Sequence, residues 1–352
     1  MRRALLFCCV VTILVISLVI GGCTTPATSG PSTPTPTPTP TPAKTVTLKA
    51  TFYQPPTHTS VVNFKNTFAN IETMTEGRVK VDVYDSQTLV KMPETFDALN
   101  RGIADMTQVP LPPLRLDVPW WGVEMLPGLF KDRQGMHDAA VGGILDMYQE
   151  AIHSAGLNIK VVHIFCPGVT YIMTRDKRVA VPEDVKGLKI AAGDAPSAAT
   201  VEVLGAAPTV MGFPETYEAL LRGMVDGALG NTSSLSQYNQ QEPCNYLCMQ
   251  PFGGPYVAVL VSEGALEQLS EADQAIVISL LEKNSLVEEL GFAIGEQRMI
   301  SDIIAPELKE VVYPTPEQSQ LWQDAVAPLI DEWLAKAGPD GQKAVDIIRQ
   351  YN

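Results

Sequence analysis

Signatures of catalysis are missing from this 352-residue chain. It has no Gly-rich phosphate loop, no Gly-x-Ser-x-Gly turn, no His-Glu-x-x-His and no Cys-x-x-Cys pair. Each of those motifs holds a phosphate, a nucleophile or a metal through its spacing, so motif-based readings as a nucleotide enzyme, serine hydrolase or zinc protease have no footing. Histidine is scarce and scattered: His58, His137, His153 and His163. His163 and Cys166 are three apart, so on a strand they face opposite sides and do not form a dyad or share a metal. Glu94 and Glu215 read as helix-start residues rather than a catalytic pair, because a carboxylate in the first turn faces the positive helix end. No catalytic residue, metal or cofactor is expected. Cysteine is also sparse. Of six, Cys8, Cys9 and Cys23 belong to the N-terminal segment, leaving Cys166, Cys244 and Cys248. An odd number permits no complete disulfide set, and buried unpaired thiols are expected. Positive charge is short as well: 25 Lys and Arg against 39 Asp and Glu give a net charge of −14. Nucleic-acid phosphates demand a basic surface, so no nucleic-acid partner is expected.

The N-terminus is informative. Arg2 and Arg3 precede an apolar run from Ala4 to Gly22, closed by Ile20-Gly21-Gly22-Cys23. A charged start, an apolar middle and small residues form a secretory signal, expected to span residues 1–22. Small residues before a cysteine are what a lipoprotein signal peptidase cuts, so Cys23 is the expected lipidation site. The other reading is an uncleaved membrane-spanning helix, since the run is long enough to cross a bilayer. Either way the remainder is exported and tethered to the membrane. Residues 23–43 continue as a linker with alternating Thr and Pro from Ser32 to Pro42. Proline at every second position blocks helix and sheet and favours an extended stalk.

Residues 44–352 carry a repeat. Pro93-Glu94-Thr95-Phe96-Asp97-Ala98-Leu99-Asn100-Arg101-Gly102-Ile103-Ala104-Asp105 is answered 121 positions later by Pro214-Glu215-Thr216-Tyr217-Glu218-Ala219-Leu220-Leu221-Arg222-Gly223-Met224-Val225-Asp226, with eight identities. Each copy reads as a helix opened by Pro, closed by Gly and followed by a strand. Two copies of one helix-to-strand unit predict two similar α/β lobes with a cleft between them, where a small molecule binds. The expected elements are strands at 45–51, 78–84, from about 103, 157–165, 187–191, 227–229 and 255–262, and helices at 61–74, 135–155 and 196–204. Ser270 with Asp273 opens a helix predicted to run past Leu308, long enough to span both lobes, and Thr315 with Gln318 opens another, through Leu334. A last helix is expected over 341–351. Lobe I is placed at about 44–166 plus about 256–300, and lobe II at about 167–255 plus the C-terminal helices.

Ligands in open α/β sheets sit beyond the carboxyl ends of strands. That singles out Tyr53-Gln54-Pro55-Pro56-Thr57-His58 after the first strand; Trp120-Trp121 lie in a Pro-rich loop, where a pocket and the core are equally open as their place.

These pieces, with Gly77-Arg78-Val79, Leu129-Phe130-Lys131-Asp132, Pro182-Glu183-Asp184-Val185-Lys186-Gly187-Leu188-Lys189-Ile190 and Gly223-Met224-Val225-Asp226-Gly227, resemble the solute-binding proteins of tripartite ATP-independent periplasmic (TRAP) transporters over about residues 44–304. The resemblance implies an α/β, two-lobed, periplasmic-binding-protein-like fold with a central ligand cleft and a long interlobe helix. It implies a non-enzymatic receptor that closes on an organic anion and delivers it to membrane permease subunits. Two departures stand out. Ala191 and Thr170 occupy the positions where such proteins place carboxylate-gripping arginines, and Ala or Thr cannot replace a bidentate guanidinium. Either the ligand is not a simple carboxylate, or another cation such as Arg115 or Arg175 takes the role. The family's usual Asn falls near Gly230, beside Asn231. The expected ligand contacts are therefore Tyr53, Phe213, Tyr217 and Tyr256 as aromatic walls, with His58, Thr170 and Asn231 as polar groups. The rival readings are a binding protein of an ABC-type importer and a surface-anchored enzyme.

Overall fold

The computed structural model describes residues 45–114 and 116–351, apart from the side chains of Phe213 and Pro214. Cys23, the signal and linker, and Arg115 lie outside the described residues.

Two sheets carry the fold. In chain order the elements of the first half are β1 (Val46–Phe52), α1 (Thr59–Met74), β2 (Val79–Tyr84), α2 (Thr95–Asn100), β3 (Met106–Pro110), α3 (Arg133–Ala139), α4 (Leu145–Ser154) and β4 (Ile159–Phe165). There follow β5 (Thr170–Thr174), β6 (Lys189–Ala192), α5 (Ala195–Val203), β7 (Ala207–Val210), α6 (Phe213–Leu221), β8 (Gly227–Asn231), α7 (Thr232–Gln237) and β9 (Tyr246–Cys248). The chain ends with β10 (Val257–Ser262), α8 (Glu263–Leu266), α9 (Glu271–Arg298), β11 (Glu310–Val312) and α10 (Pro316–Arg349). The first sheet has the order β2-β1-β3-β10-β4, the second β11-β9-β5-β8-β6-β7. We call the first sheet and its helices lobe I, the second lobe II. The chain crosses between them at Cys166–Val169 and again at residues 249–256. These two crossings lie side by side, with Thr170 N donating to Gly253 O at 2.9 Å and Phe252 N to Thr170 O at 3.0 Å.

Alternating β-branched residues make the strands, and buried ones supply the core. In lobe I, Phe52, Phe64 and Phe68 meet under β1 with ring centroids 5.2–6.4 Å apart. Trp120 is a core residue and Trp121 is half-buried against it; both pack around Tyr148, at 5.0 and 4.7 Å. The three described cysteines are free and buried.

The helix from Glu271 has the cap its sequence announces, Asp273 N donating to Ser270 Oγ at 3.2 Å. It ends at Arg298 and continues as a wider π-turn through Ile304. α9 packs on α1 and β4, and its continuation packs on α7, so it joins the lobes. α10 is capped by Thr315 and Gln318 and bends at Gly338. It packs against α3 as well as α5, and so belongs to both lobes rather than to lobe II. The helix predicted over 135–155 is broken at Gly143. The short strands β7, β9 and β11 carry no clear alternation, and the sequence gives no sign of them.

Candidate ligand cleft

The parallel strands β1, β6 and β8 each hand over to a helix at the carboxyl end, and each helix is capped by a side chain. His58 Nδ1 accepts from Ser60 N at 3.3 Å at the start of α1. Asp194 Oδ1 accepts from Ser197 N at 2.8 Å before α5. Asn231 Oδ1 accepts from Ser234 N at 2.8 Å before α7. Capping residues satisfy backbone N–H groups that have no partner inside the helix. Two of the expected polar contacts, His58 and Asn231, are thus helix caps first, with Nε2 and Nδ2 left over. Burial lowers the His58 pKa, so its ring is neutral near pH 7.

Two of the cavities that straddle the lobes, among the described residues, border the starts of the capped helices α1, α5 and α7. One, of about 440 Å³, lies between the start of α1 (His58, Ser60, Asn63), Pro167 of the first crossing, the start of α7 (Thr232, Ser233) and the inner face of α9 (Glu288, Phe292, Glu296). The other, of about 470 Å³, is largely apolar and lies between the lobe I loop (Leu116, Trp121, Met125), α5 (Pro196, Ala199) and α10 (Leu329, Trp333, Lys336). Both fall in the size range of small-molecule sites.

Cations are committed elsewhere. Arg133 pairs with Glu296 at 2.6 Å. It also donates to the crossing carbonyls of Cys166 and, at 3.1 Å, Pro167. Thr232 of lobe II donates to Glu296 Oε1 at 3.1 Å. Arg133, Glu296 and Thr232 therefore form a polar chain from lobe I through α9 to lobe II. Lys336 pairs with Glu332 at 2.7 Å. Farther along α9, Glu289 meets His137 Nδ1 at 2.8 Å and stands 3.5 Å from His163 Nε2. Burial acts to raise the Glu289 pKa, but the two histidines outweigh it and hold the carboxyl below its ordinary value.

The structure brings some of the expected contacts together and separates others. Thr170 and Asn231 are register partners on β5 and β8. Ala191 is in register with Ala228, itself paired with Met173. Partners across a ladder share a face and successive residues alternate, so Ala191 lies on the opposite face of the sheet from Thr170 and Asn231. Tyr53 follows β1 and is half-buried, with its phenol pKa raised by burial. Tyr256 is a correction: it is 0% exposed and its hydroxyl donates to Met136 O at 2.7 Å, which makes it core and not cleft wall. Tyr217 is another, since it is half-buried and its hydroxyl is already committed, donating at 2.8 Å to the exposed Glu242. Arg175 is a third. It follows β5 at the end away from Thr170, where its guanidinium covers Gly223, so it is no substitute for a cleft arginine.

Sequence reasoning missed Arg133, Glu288, Glu289, Glu296 and Thr232. A signal was present in α9, where carboxylates alternate with Leu286, Val287, Leu290 and Ile294. Helix-period reading puts the aliphatic residues inside. The structure does the reverse and leaves all four exposed.

The profile of bacterial extracellular solute-binding protein family 7, DctP, matches residues 52–337. A solute-binding protein from Chromohalobacter salexigens is 26% identical over 224 residues, 63% of this chain and 66% of that one; the chain thus spans just under two thirds of that relative. The C4-dicarboxylate-binding periplasmic protein DctP of Rhodobacter capsulatus is 27% identical over 281 residues, 78% of this chain and 82% of that one. Among solved structures, a TRAP periplasmic solute-binding protein from Ochrobactrum anthropi superposes with a TM-score of 0.77 at 21% identity, covering 88% and 96% of the two chains. Another from Chromohalobacter salexigens, with bound D-glucuronate, gives 0.71 at 22% identity and covers 87% and 100%. With the profile covering most of its length, the chain belongs to bacterial extracellular solute-binding protein family 7.

Proposed function

We propose that this receptor is lipid-anchored at Cys23, takes up a small organic solute between its lobes and delivers it to TRAP permease subunits in the same membrane. The observation that carries the reading is the pair of cavities straddling the lobes, one opening on the starts of helices from both. A solute there touches both lobes at once and so favours the closed arrangement over the open one. The crossings at Cys166–Val169 and residues 249–256 are the natural hinge. Of the relatives named above, one is a C4-dicarboxylate-binding protein and another holds bound D-glucuronate. Here Tyr53, His58, Thr170, Phe213 and Asn231 are the proposed contacts, and with Ala191 and Thr170 in place of arginines the solute is held by shape and hydrogen bonds rather than by a guanidinium fork.

A thermal-shift screen of the purified full chain against acids, amino acids, sugars and amines tests the receptor reading, since a ligand that binds only the folded state raises its stability. A hit should also shrink the radius of gyration in solution scattering. No shift from any class at millimolar concentration rejects the reading. For the anchor, a labelled fatty acid should attach to the wild-type chain and not to Cys23→Ser; label retained on the Ser variant rejects it.

A further inference from the structure

Resting on the receptor reading, and going further in the chemistry of its ligand, one carboxylate stands out on α9. Glu288 is 4% exposed. Its Oε2 accepts from the Gln108 amide on β3, the Asn63 and Ser60 side chains lie near enough to act as weaker donors, and Oε1 has no partner at ordinary hydrogen-bond geometry. The other two carboxylates that this stretch of α9 turns inward are matched, Glu289 by His137 and His163 and Glu296 by Arg133. Glu288 has no cation partner among the described residues. Burial pushes its pKa up, with Gln108, Asn63 and Ser60 pulling the other way. A buried acceptor left open is costly to keep in a dry wall. This one borders the cavity of about 440 Å³, among whose described lining residues there is no lysine or arginine.

We propose that Glu288 anchors an ammonium subsite: the cavity receives the protonated amine of a small organic solute, whose remainder reaches toward Tyr53, Thr170 and Asn231. An ammonium carries three donors and no acceptor. The residues lining the cavity carry matching acceptors, namely the Glu288 carboxylate, the Asn63 amide oxygen and the Ser60 and Thr232 hydroxyls. Phe292, stacked on Phe165 at a centroid distance of 5.8 Å, adds an aromatic surface, which attracts cations. His58 is held neutral by burial and does not compete. The guanidinium groups missing at Ala191 and Thr170 and the buried carboxyl group at Glu288 thus point to the same class of ligand, an amine or amino acid and not a dicarboxylate.

Calorimetry with four compounds of one length tests it: putrescine, 4-aminobutanoate, butane-1,4-diol and succinate, each against the full chain and its Glu288→Gln variant. Gln keeps the shape and a bond to Gln108 while removing the charge. An amine-bearing compound should bind at least tenfold tighter than the diol and succinate. Glu288→Gln should weaken that compound by about thirtyfold or more, the usual loss when one partner of a buried charged pair is removed, and leave the melting temperature of the unliganded protein within a few degrees. Succinate binding tightest in both proteins overturns the subsite, as does amine affinity equal in both, or no amine binding at millimolar concentration. In each of those cases the receptor reading still stands if any other solute in the thermal-shift screen stabilises the protein, and it falls separately if none does.

Discussion

Lobe I and lobe II use the same thirteen-residue phrase, and the comparison separates what a local sequence dictates from what its surroundings impose. Gly102 and Gly223 both sit at φ +68°, the left-handed region that glycine enters freely. Asp105 and Asp226 both accept from the backbone N–H of a lysine on the neighbouring parallel strand, Lys49 at 2.7 Å and Lys189 at 2.8 Å. Each Asp also donates its own N–H back to that lysine's carbonyl, at 2.8 and 2.7 Å. The turn and its lock to the sheet are thus repeated bond for bond. The aromatic position is not. Phe96 is 8% exposed and meets Trp121 edge-on at 5.9 Å. Tyr217, its counterpart, is half-buried and bonded to Glu242 at the surface. A phrase carries its own hydrogen bonds, but the neighbours that cover its side chains come from distant parts of the chain.

The largest contrast expected is at that aromatic pair. Phe96→Ala should cost about 3–5 kcal/mol of stability, as for large-to-small changes in a packed core, and Tyr217→Ala less than about 1 kcal/mol. Urea unfolding measures both, and equal losses would erase the difference between the lobes.

Lobe I also buries a carboxylate beside the second crossing. Glu124 is fully enclosed and receives the Tyr148 hydroxyl at 2.5 Å, and its backbone carbonyl accepts from Gly254 N at 3.1 Å. Burial raises its pKa to about 7, against the pull of Tyr148. A carboxyl whose folded-state pKa is raised binds its proton more tightly folded than unfolded. Its contribution is therefore fully present below the ordinary pKa of about 4.5 and is lost as pH rises through about 7. Stability should fall by up to about 3 kcal/mol across that window. Glu124→Gln should flatten the slope, and a slope that persists in the variant assigns the effect to another group.

Next come the two aspartates. Asp105 is buried, so Asp105→Ala leaves a covered N–H without its partner and should cost about 2 kcal/mol, whereas Asp226→Ala, half-exposed, should cost about 1 kcal/mol. The smallest contrast is at the glycines. Ala at either should cost about 1 kcal/mol for the left-handed backbone. A Cβ at Gly223 would lie 2.6 Å from Arg175 Nη1, whereas one at Gly102 meets nothing within 4 Å. Because a guanidinium end moves easily, the excess at Gly223 should be a few tenths of a kcal/mol and vanish in an Arg175→Ala background.

Much of this architecture is legible without coordinates. Strands β1, β2, β4 and β10 follow from alternation and β-branched residues. The caps Ser270 and Thr315 follow from their partners three residues on, and the buried thiols follow from an odd cysteine count. These signals are local, carried by a handful of adjacent residues whose backbone preferences agree. The long helix that joins the lobes is legible as a helix, but its orientation is not. Leu286, Val287, Leu290 and Ile294 are exposed, Val287 at the edge of the cavity, while Glu288, Glu289 and Glu296 turn inward to partners more than a hundred residues away, apart from Thr232.

The cleft shows the same division. The sequence alone placed Tyr53 and His58 beyond the end of the first strand, because turn residues after a parallel strand must lie at its carboxyl edge, while Thr170 and Asn231 followed from the family resemblance. It also determined that Ala191 and Thr170 bring no guanidinium, since side-chain chemistry is fixed residue by residue. Only the tertiary structure decided that Tyr256 is core, that Arg175 covers a turn at the far end of β5, that Ala191 and Thr170 lie on opposite faces, and that Glu288 is left with an open oxygen. Burial, pairing and facing depend on which distant segments the sheets and α9 bring into contact. No periodicity within one segment encodes them, because the partner that buries or satisfies a side chain is specified elsewhere in the chain.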